Sequence, residues 1–207
     1  MIKNNILKIN TKRNQGYTII ETMISVSLFL VIVTSGMSAL VNANVLHRKS
    51  QDMRSIIDNL SFILEDMSRN LRTGYNYQCF SSGQSLTPAT LGVARDCADG
   101  WAVAFESSTG DKDTYNDQWS YYFSGDDENS FGRIYKSIDG ANTYTRLTPE
   151  EVDIDQISGF VVKGAPDSTT DTLQPIINIR IVGTINYRNI SSPFSLQTSV
   201  SQRVLDF

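Results

Sequence analysis

The run from Ile19 to Val41 constrains this chain most: nearly every residue in it is apolar or small, and Glu21 is its only charge. At ~1.5 Å of rise per residue, such a run forms a helix about long enough to cross the ~30 Å hydrocarbon core of a bilayer. A buried helix of a soluble domain would carry polar residues at periodic positions, and this run does not. Its flanks differ in charge. Lys3, Lys8, Lys12 and Arg13 lie in residues 1–16 with no acid among them, leaving 14 basic against 22 acidic residues, net −8, for the rest of the 207-residue chain. A basic start, an apolar run and an acidic body predict a first segment held in the cytoplasm and a body that crosses. The competing reading is a secretory signal cut after Ser38-Ala39-Leu40 or Val41-Asn42-Ala43, although its apolar core would be longer than usual.

The residues just before the run are Gly16, Tyr17, Thr18, Ile19, Ile20 and Glu21. With the basic leader and the apolar run, this GYTIIE segment resembles the type IV prepilin and pseudopilin family. The resemblance implies a leader, residues 1–16, removed after Gly16 by a prepilin peptidase, and an N-methylated Tyr17 as the first mature residue. Glu21 then stands fifth, where the family carries a glutamate. A lone carboxylate near the end of a membrane helix is costly and calls for a partner. By resemblance that partner is the terminal amine of a neighbouring subunit, an ammonium meeting a carboxylate where the dielectric is low. A Glu21 that simply reaches the interface is the plainer alternative.

The helical pattern continues past Val41. Met53, Ile56, Leu60, Ile63, Met67 and Leu71 recur at spacings of three and four, with Asp52, Arg54, Asp58, Glu65, Asp66, Arg69 and Arg72 on the other faces. No proline interrupts residues 17–73, so one helix of roughly 85 Å is predicted. Ser35-Gly36 is its expected weak point, Glu65 and Arg69 its expected i,i+4 ion pair, and Gly74 its expected C-cap.

After Gly74, short β-like runs alternate with Gly, Ser, Asp and Asn. The predicted strands are Trp101–Glu106, Trp119–Ser124, Arg133–Ile138, Thr143–Leu147, Gly159–Val162, Ile176–Ile185 and Gln197–Leu205, with a tight hairpin turn at Asp139-Gly140. Strands after one long helix imply an α+β fold, an antiparallel sheet over 74–207 packed on the helix. The helix end Leu64–Arg72 and the closing Ser195–Phe207 resemble minor pilins and J-type pseudopilins.

Cys79 and Cys97 are the only cysteines. In an oxidising space they predict a disulfide that closes the loop leaving the helix; two free buried thiols are the alternative. His47, the only histidine, sits beside Arg48 and Lys49 near the apolar run, a poor place for a Ser-His-Asp triad or a histidine metal centre. Nucleotide-binding glycine motifs are absent, and the reading is of a non-enzyme without a resident cofactor. The acidic run Asp126-Asp127-Glu128 reads as a solvated loop. Asp111, Asp113 and Asp117 supply closely spaced oxygens of the kind calcium prefers, but lack the glycine and distal glutamate of an EF-hand; a plain acidic turn is the alternative. Trp119, Tyr121 and Tyr122 alternate as strand residues packing on the helix do, and a binding face is the other reading.

The resemblance implies a structural subunit of a type IV pilus, or of a type II secretion or DNA-uptake pseudopilus, in the inner membrane with its body outside. Its partners would be prepilin peptidase, other pilin-like subunits, an inner-membrane assembly platform and, before assembly, membrane lipid. The net charge of −4 argues against nucleic acid as a partner. A monomeric membrane-anchored binding or adhesion module is the competing class.

Overall fold

The computed structural model describes residues 16–111, 113–124, 132–166, 173–187 and 190–203. The leader lysines and Arg13, Lys112, the Asp126-Asp127-Glu128 run and positions 204–207 lie outside the described residues. One helix, α1, runs from Ile19 to Thr73. It passes through Ser35-Gly36 without a break, so the expected weak point is ordinary helix. Ser35 Oγ donates to Ile32 O at 3.0 Å there. The chain divides into two compact units, 1–50 and 51–207, with the boundary inside α1.

In the second unit, the described residues form nine antiparallel strands in one sheet. They are β1 (Tyr75–Ser81), β2 (Cys97–Glu106), β3 (Trp119–Ser124), β4 (Arg133–Ser137), β5 (Thr145–Arg146), β6 (Val152–Ile154), β7 (Gly159–Lys163), β8 (Ile176–Tyr187) and β9 (Ile190–Ser201). The sheet order is β5-β4-β3-β2-β7-β8-β6, with β1 also on β2 and β9 also on β8. β2 forks: residues 102–105 pair with β3, whereas Cys97 and Gly100 pair with β7. The two arms meet again where Gly132 exchanges main-chain hydrogen bonds with Ile154, at 3.2 and 2.9 Å. The sheet is therefore curled. A Cβ on Gly132 would stand 2.5 Å from Ile154 O and 2.8 Å from Ser124 O, so only glycine lets the backbones approach this closely.

One face of the sheet covers the helix stripe. Ile56, Leu60, Met67 and Leu71 are buried with Tyr77, Val103, Phe105, Tyr121, Phe160, Ile177, Ile179 and Ile181, and Met53 and Ile63 pack at the margin. This is the stripe the three-and-four spacing predicts. Full burial of each such side chain contributes about 1.5–3 kcal/mol, enough to fix the face that α1 turns to the sheet. Alternate residues of the same strands, Phe80, Ala102 and Ala104, form a smaller cluster on the opposite face with Leu91 and Ala141.

Several local expectations change. Gly74 is not in a left-handed conformation. It is glycine because a Cβ would overlap the Phe105 ring, and its N–H closes the helix on Asn70 O at 3.0 Å. Arg69 pairs with Asp66 (3.5 Å) rather than with Glu65. Asp139-Gly140 is not a two-residue hairpin turn: β4 and β5 are joined through 138–144. The Asp139 carboxylate organises that loop, accepting from Ser137 Oγ, Thr143 N and Thr143 Oγ1 at 2.7, 2.9 and 2.6 Å. Those hydrogen bonds, Thr143's first, hold its pKa down to about 2. The closing strand starts at Ile190, and β1 and β6 are strands that alternation does not reveal.

Candidate assembly segment and its surroundings

The first unit's described residues centre on the N-terminal part of α1. Thr18 caps the helix, its Oγ1 accepting from Glu21 N at 3.3 Å. The helix starts at Ile19 rather than Tyr17 for that reason, and Thr18-x-x-Glu21 is a capping pattern legible in the sequence. Glu21 thus lies in the first turn, where the helix dipole favours a carboxylate by ~0.3–1 kcal/mol. Gly16, Tyr17 and Glu21 are all exposed, Tyr17 at 81%. A Cβ on Gly16 would meet nothing within 4 Å.

From Ile19 to Val41 the large apolar side chains face outward around the whole helix. Ile20, Met23, Leu28, Phe29, Ile32, Met37 and Leu40 are each more than half exposed. The helix is long and apolar enough to cross a membrane. Its hydroxyls do not break that surface. Thr22 donates to Ile19 O, Ser25 to Glu21 O, Ser27 to Ile24 O, Thr34 to Leu30 O and Ser38 to Thr34 O, at 2.8–3.1 Å. Each polar hydrogen is satisfied within the helix, as a hydrocarbon surrounding requires. His47 lies further along, exposed on the same helix.

In the second unit, Cys79 and Cys97 form a disulfide with Cα atoms 5.6 Å apart, fastening β1 to the start of β2. Closing a loop with a separation of 18 residues contributes about 3 kcal/mol. Tyr121 is fully buried against the helix and Trp119 packs beside it. Tyr122 faces the other way, stacked on Tyr135 at 4.9 Å and edge-on to Trp101 at 5.9 Å. It lines an open cleft in the fork of β2 with Trp101, Asp99 and Asp155.

The Asp111, Asp113 and Asp117 group is only partly assembled. Asp111 N donates to Asp117 Oδ2 at 2.8 Å, while Asp111 Oδ1 accepts from Asp113 N at 3.1 Å and so caps its own turn. Glu106, at the end of β2, joins them and was not legible as a site residue. It is wholly buried, and its Oε1 accepts from Gln118 Nε2 at 2.6 Å. Burial first, and then the charges of Asp117 and Asp111, push its pKa up against the opposing Gln118 hydrogen bond. Among the described residues no three His, Cys, Asp or Glu side chains converge as a metal cluster. In comparison with known proteins, no family model, no curated protein and no solved structure matches this chain.

Proposed function

We propose that the chain is a pilin-like structural subunit, a minor pilin or pseudopilin, stored in the inner membrane and assembled into a filament through its N-terminal helix. The observation that carries this reading is the largely exposed apolar segment from Ile19 to Val41, preceded by Gly16 and Tyr17 with Glu21 in the fifth mature position. An apolar surface this continuous needs lipid or similar helices around it. Leader removal frees the Tyr17 amine. Glu21 meets the amine of an adjacent subunit, which neutralises a carboxylate that would otherwise cost ~2.5–3.5 kcal/mol deep in a membrane and fixes the register of neighbours. The 51–207 unit is the part carried outside. The filament is of the class used for type IV pili, type II secretion or DNA uptake.

Intact mass and N-terminal sequencing of the protein from membranes test the first step, with a chain beginning at N-methylated Tyr17 expected. Glu21→Ala is expected to leave membrane levels unchanged and to reduce the subunit in sheared filaments at least tenfold. An uncleaved leader together with full function of the alanine variant identifies a monomeric membrane-anchored binding module instead.

A further inference from the structure

The sheet guards most of its edges. Arg95 covers the outer edge of β1, its N–H donating to Tyr77 O at 3.0 Å and its carbonyl accepting from Cys79 N at 3.1 Å. β5 and β6 offer little edge, because they hold two and three residues. β9 is different. β8 pairs with β7 and β6 on one side and with β9 on the other, so β9 is outermost, and among the described residues no strand pairs with its far edge. Its residues, Ile190–Ser201, carry no charge, and only Pro193 is of the kind that blunts an edge. Such an edge offers a row of unpaired main-chain donors and acceptors to another chain.

The C-terminal part of that edge borders a groove of about 940 Å³ between β9 and the last turns of α1, at the upper end of the ~300–1,000 Å³ that ligand clefts span. Thr198, Ser199, Val200 and Ser201 line it in succession. Side chains alternate between the two faces of a strand, so consecutive residues share one groove only along the strand's edge. Val200 buries its side chain in the core, and Ser199 donates its hydroxyl to Asn178 Oδ1 on β8 at 2.5 Å. What both present to the groove is main chain. Arg203 N closes one end by donating to Arg72 O at 2.8 Å.

The charge lining the groove is basic. Arg69 and Arg72 on α1 and Arg203 just past β9 stand against one acid, Glu65. Arg69 is paired with Asp66 at 3.5 Å, whereas Arg72 and Arg203 form no ion pair among the described residues. Two free guanidiniums beside an open strand edge select for carboxylates. They also oppose a second copy, because pairing through the same stretch would bring its own Arg72 and Arg203 against these.

We propose that this groove docks an extended acidic segment of another protein, which adds to the free edge of β9 as a further strand and sets its carboxylates on Arg72 and Arg203. Main-chain hydrogen bonds to residues 198–201 hold the segment, and the arginines fix its charge and register. The site lies wholly within the 51–207 unit and uses neither Gly16 nor Glu21, so it stands apart from the assembly reading.

The test uses the full chain in a non-ionic detergent and a fluorescently labelled short peptide that alternates glutamate with threonine or valine. Anisotropy is expected to show saturable binding that weakens as salt rises. The same peptide with lysine for glutamate is expected to bind about tenfold more weakly or worse, and so is the glutamate peptide to the double variant Arg72→Gln, Arg203→Gln, which should unfold at the wild-type temperature. Methylating every second peptide nitrogen separates the two sides of an added strand: one alternating set of methyls is expected to abolish binding and the complementary set to leave it. Hydrogen exchange of the outward amides in 196–201 should slow when peptide is added, while exchange of the amides bonded to β8 stays as it was. Equal effects of the two methylated peptides would show that no strand is added, and the proposal fails. Absence of saturable binding up to ~1 mM peptide also overturns it. So does a dimer whose outward β9 amides are already protected without peptide, since the occupant is then a second copy.

Discussion

Asp66 stands on the part of α1 that packs against the sheet, and its two oxygens accept from Tyr121 Oη, Lys136 Nζ and Asn70 Nδ2, each at 3.0 Å. Lys136 also lies over the Trp119 ring, 4.5 Å from its centre. Burial taken alone raises the Asp66 pKa, but Lys136, Tyr121 and Asn70 together outweigh it and leave the group below its ordinary value. A carboxylate depressed in the fold stabilises above its unfolded pKa, and that contribution is lost as pH falls through the folded one. Asp66→Asn should therefore cost ~1–3 kcal/mol in urea unfolding at pH 7, with the gap to wild type closing as pH falls through the depressed native pKa and the carboxyl protonates. Glu106 has the opposite sign. Its raised pKa gives stability that is complete below its unfolded value and lost as pH rises through the folded one. Nothing in the spacing of acids distinguishes these two residues from Asp58 or Asp111; the difference comes from what the sheet places beside each.

At the scale of elements, α1 is two surfaces on one backbone. Its first part is apolar on all sides, and its last part is apolar along the single stripe that the sheet covers. Leu60, completely buried in the middle of that stripe, tests the second surface. Leu60→Ala should destabilise the 51–207 unit by ~2–5 kcal/mol, read by loss of near-ultraviolet dichroism in denaturant. The same substitution at Leu40, which is 67% exposed, should change that transition by less than ~0.5 kcal/mol. β8, with its clean alternation, is legible from pattern alone, and β3 from its aromatic run. β1 is not, because Asn76 takes a φ of 53° inside it and Gln78 is buried for its amide bonds. β6 has three residues, all buried, too few for any period to register.

Across the folded unit, closure of the curl decides the architecture. Arg133 on β4 donates to Asp153 Oδ1 at 2.7 Å and to Val152 O at 2.6 Å, both on β6. Asn186 on β8 donates to Asp153 Oδ2 at 2.6 Å. One carboxylate, 5% exposed, thus ties three strands that lie on both arms of the fork. Removing it strands a half-buried guanidinium, so Asp153→Ala should cost ~3–5 kcal/mol. Gly132→Ala, which pushes the same arms apart, should raise hydrogen exchange at Ile154 before it alters exchange in β8. Equal and simultaneous exposure of both strands would show that the curl and the sheet centre open as one unit.

The long helix, its change from an all-round apolar surface to a one-sided stripe, the α+β class and the cysteine pair can all be read from the order of residues. These follow from local period and composition, and neighbours in sequence suffice to set them. Folding in three dimensions is what makes Gly74 and Gly132 points of close approach, sets Asp66 and not Glu65 to anchor the end of the helix, and brings the charge of Asp117 to bear on a buried Glu106. Each depends on atoms brought together by strand pairing across long stretches of chain. Burial, neighbouring charge and the absence of a hydrogen-bond partner exist only after that pairing has been made.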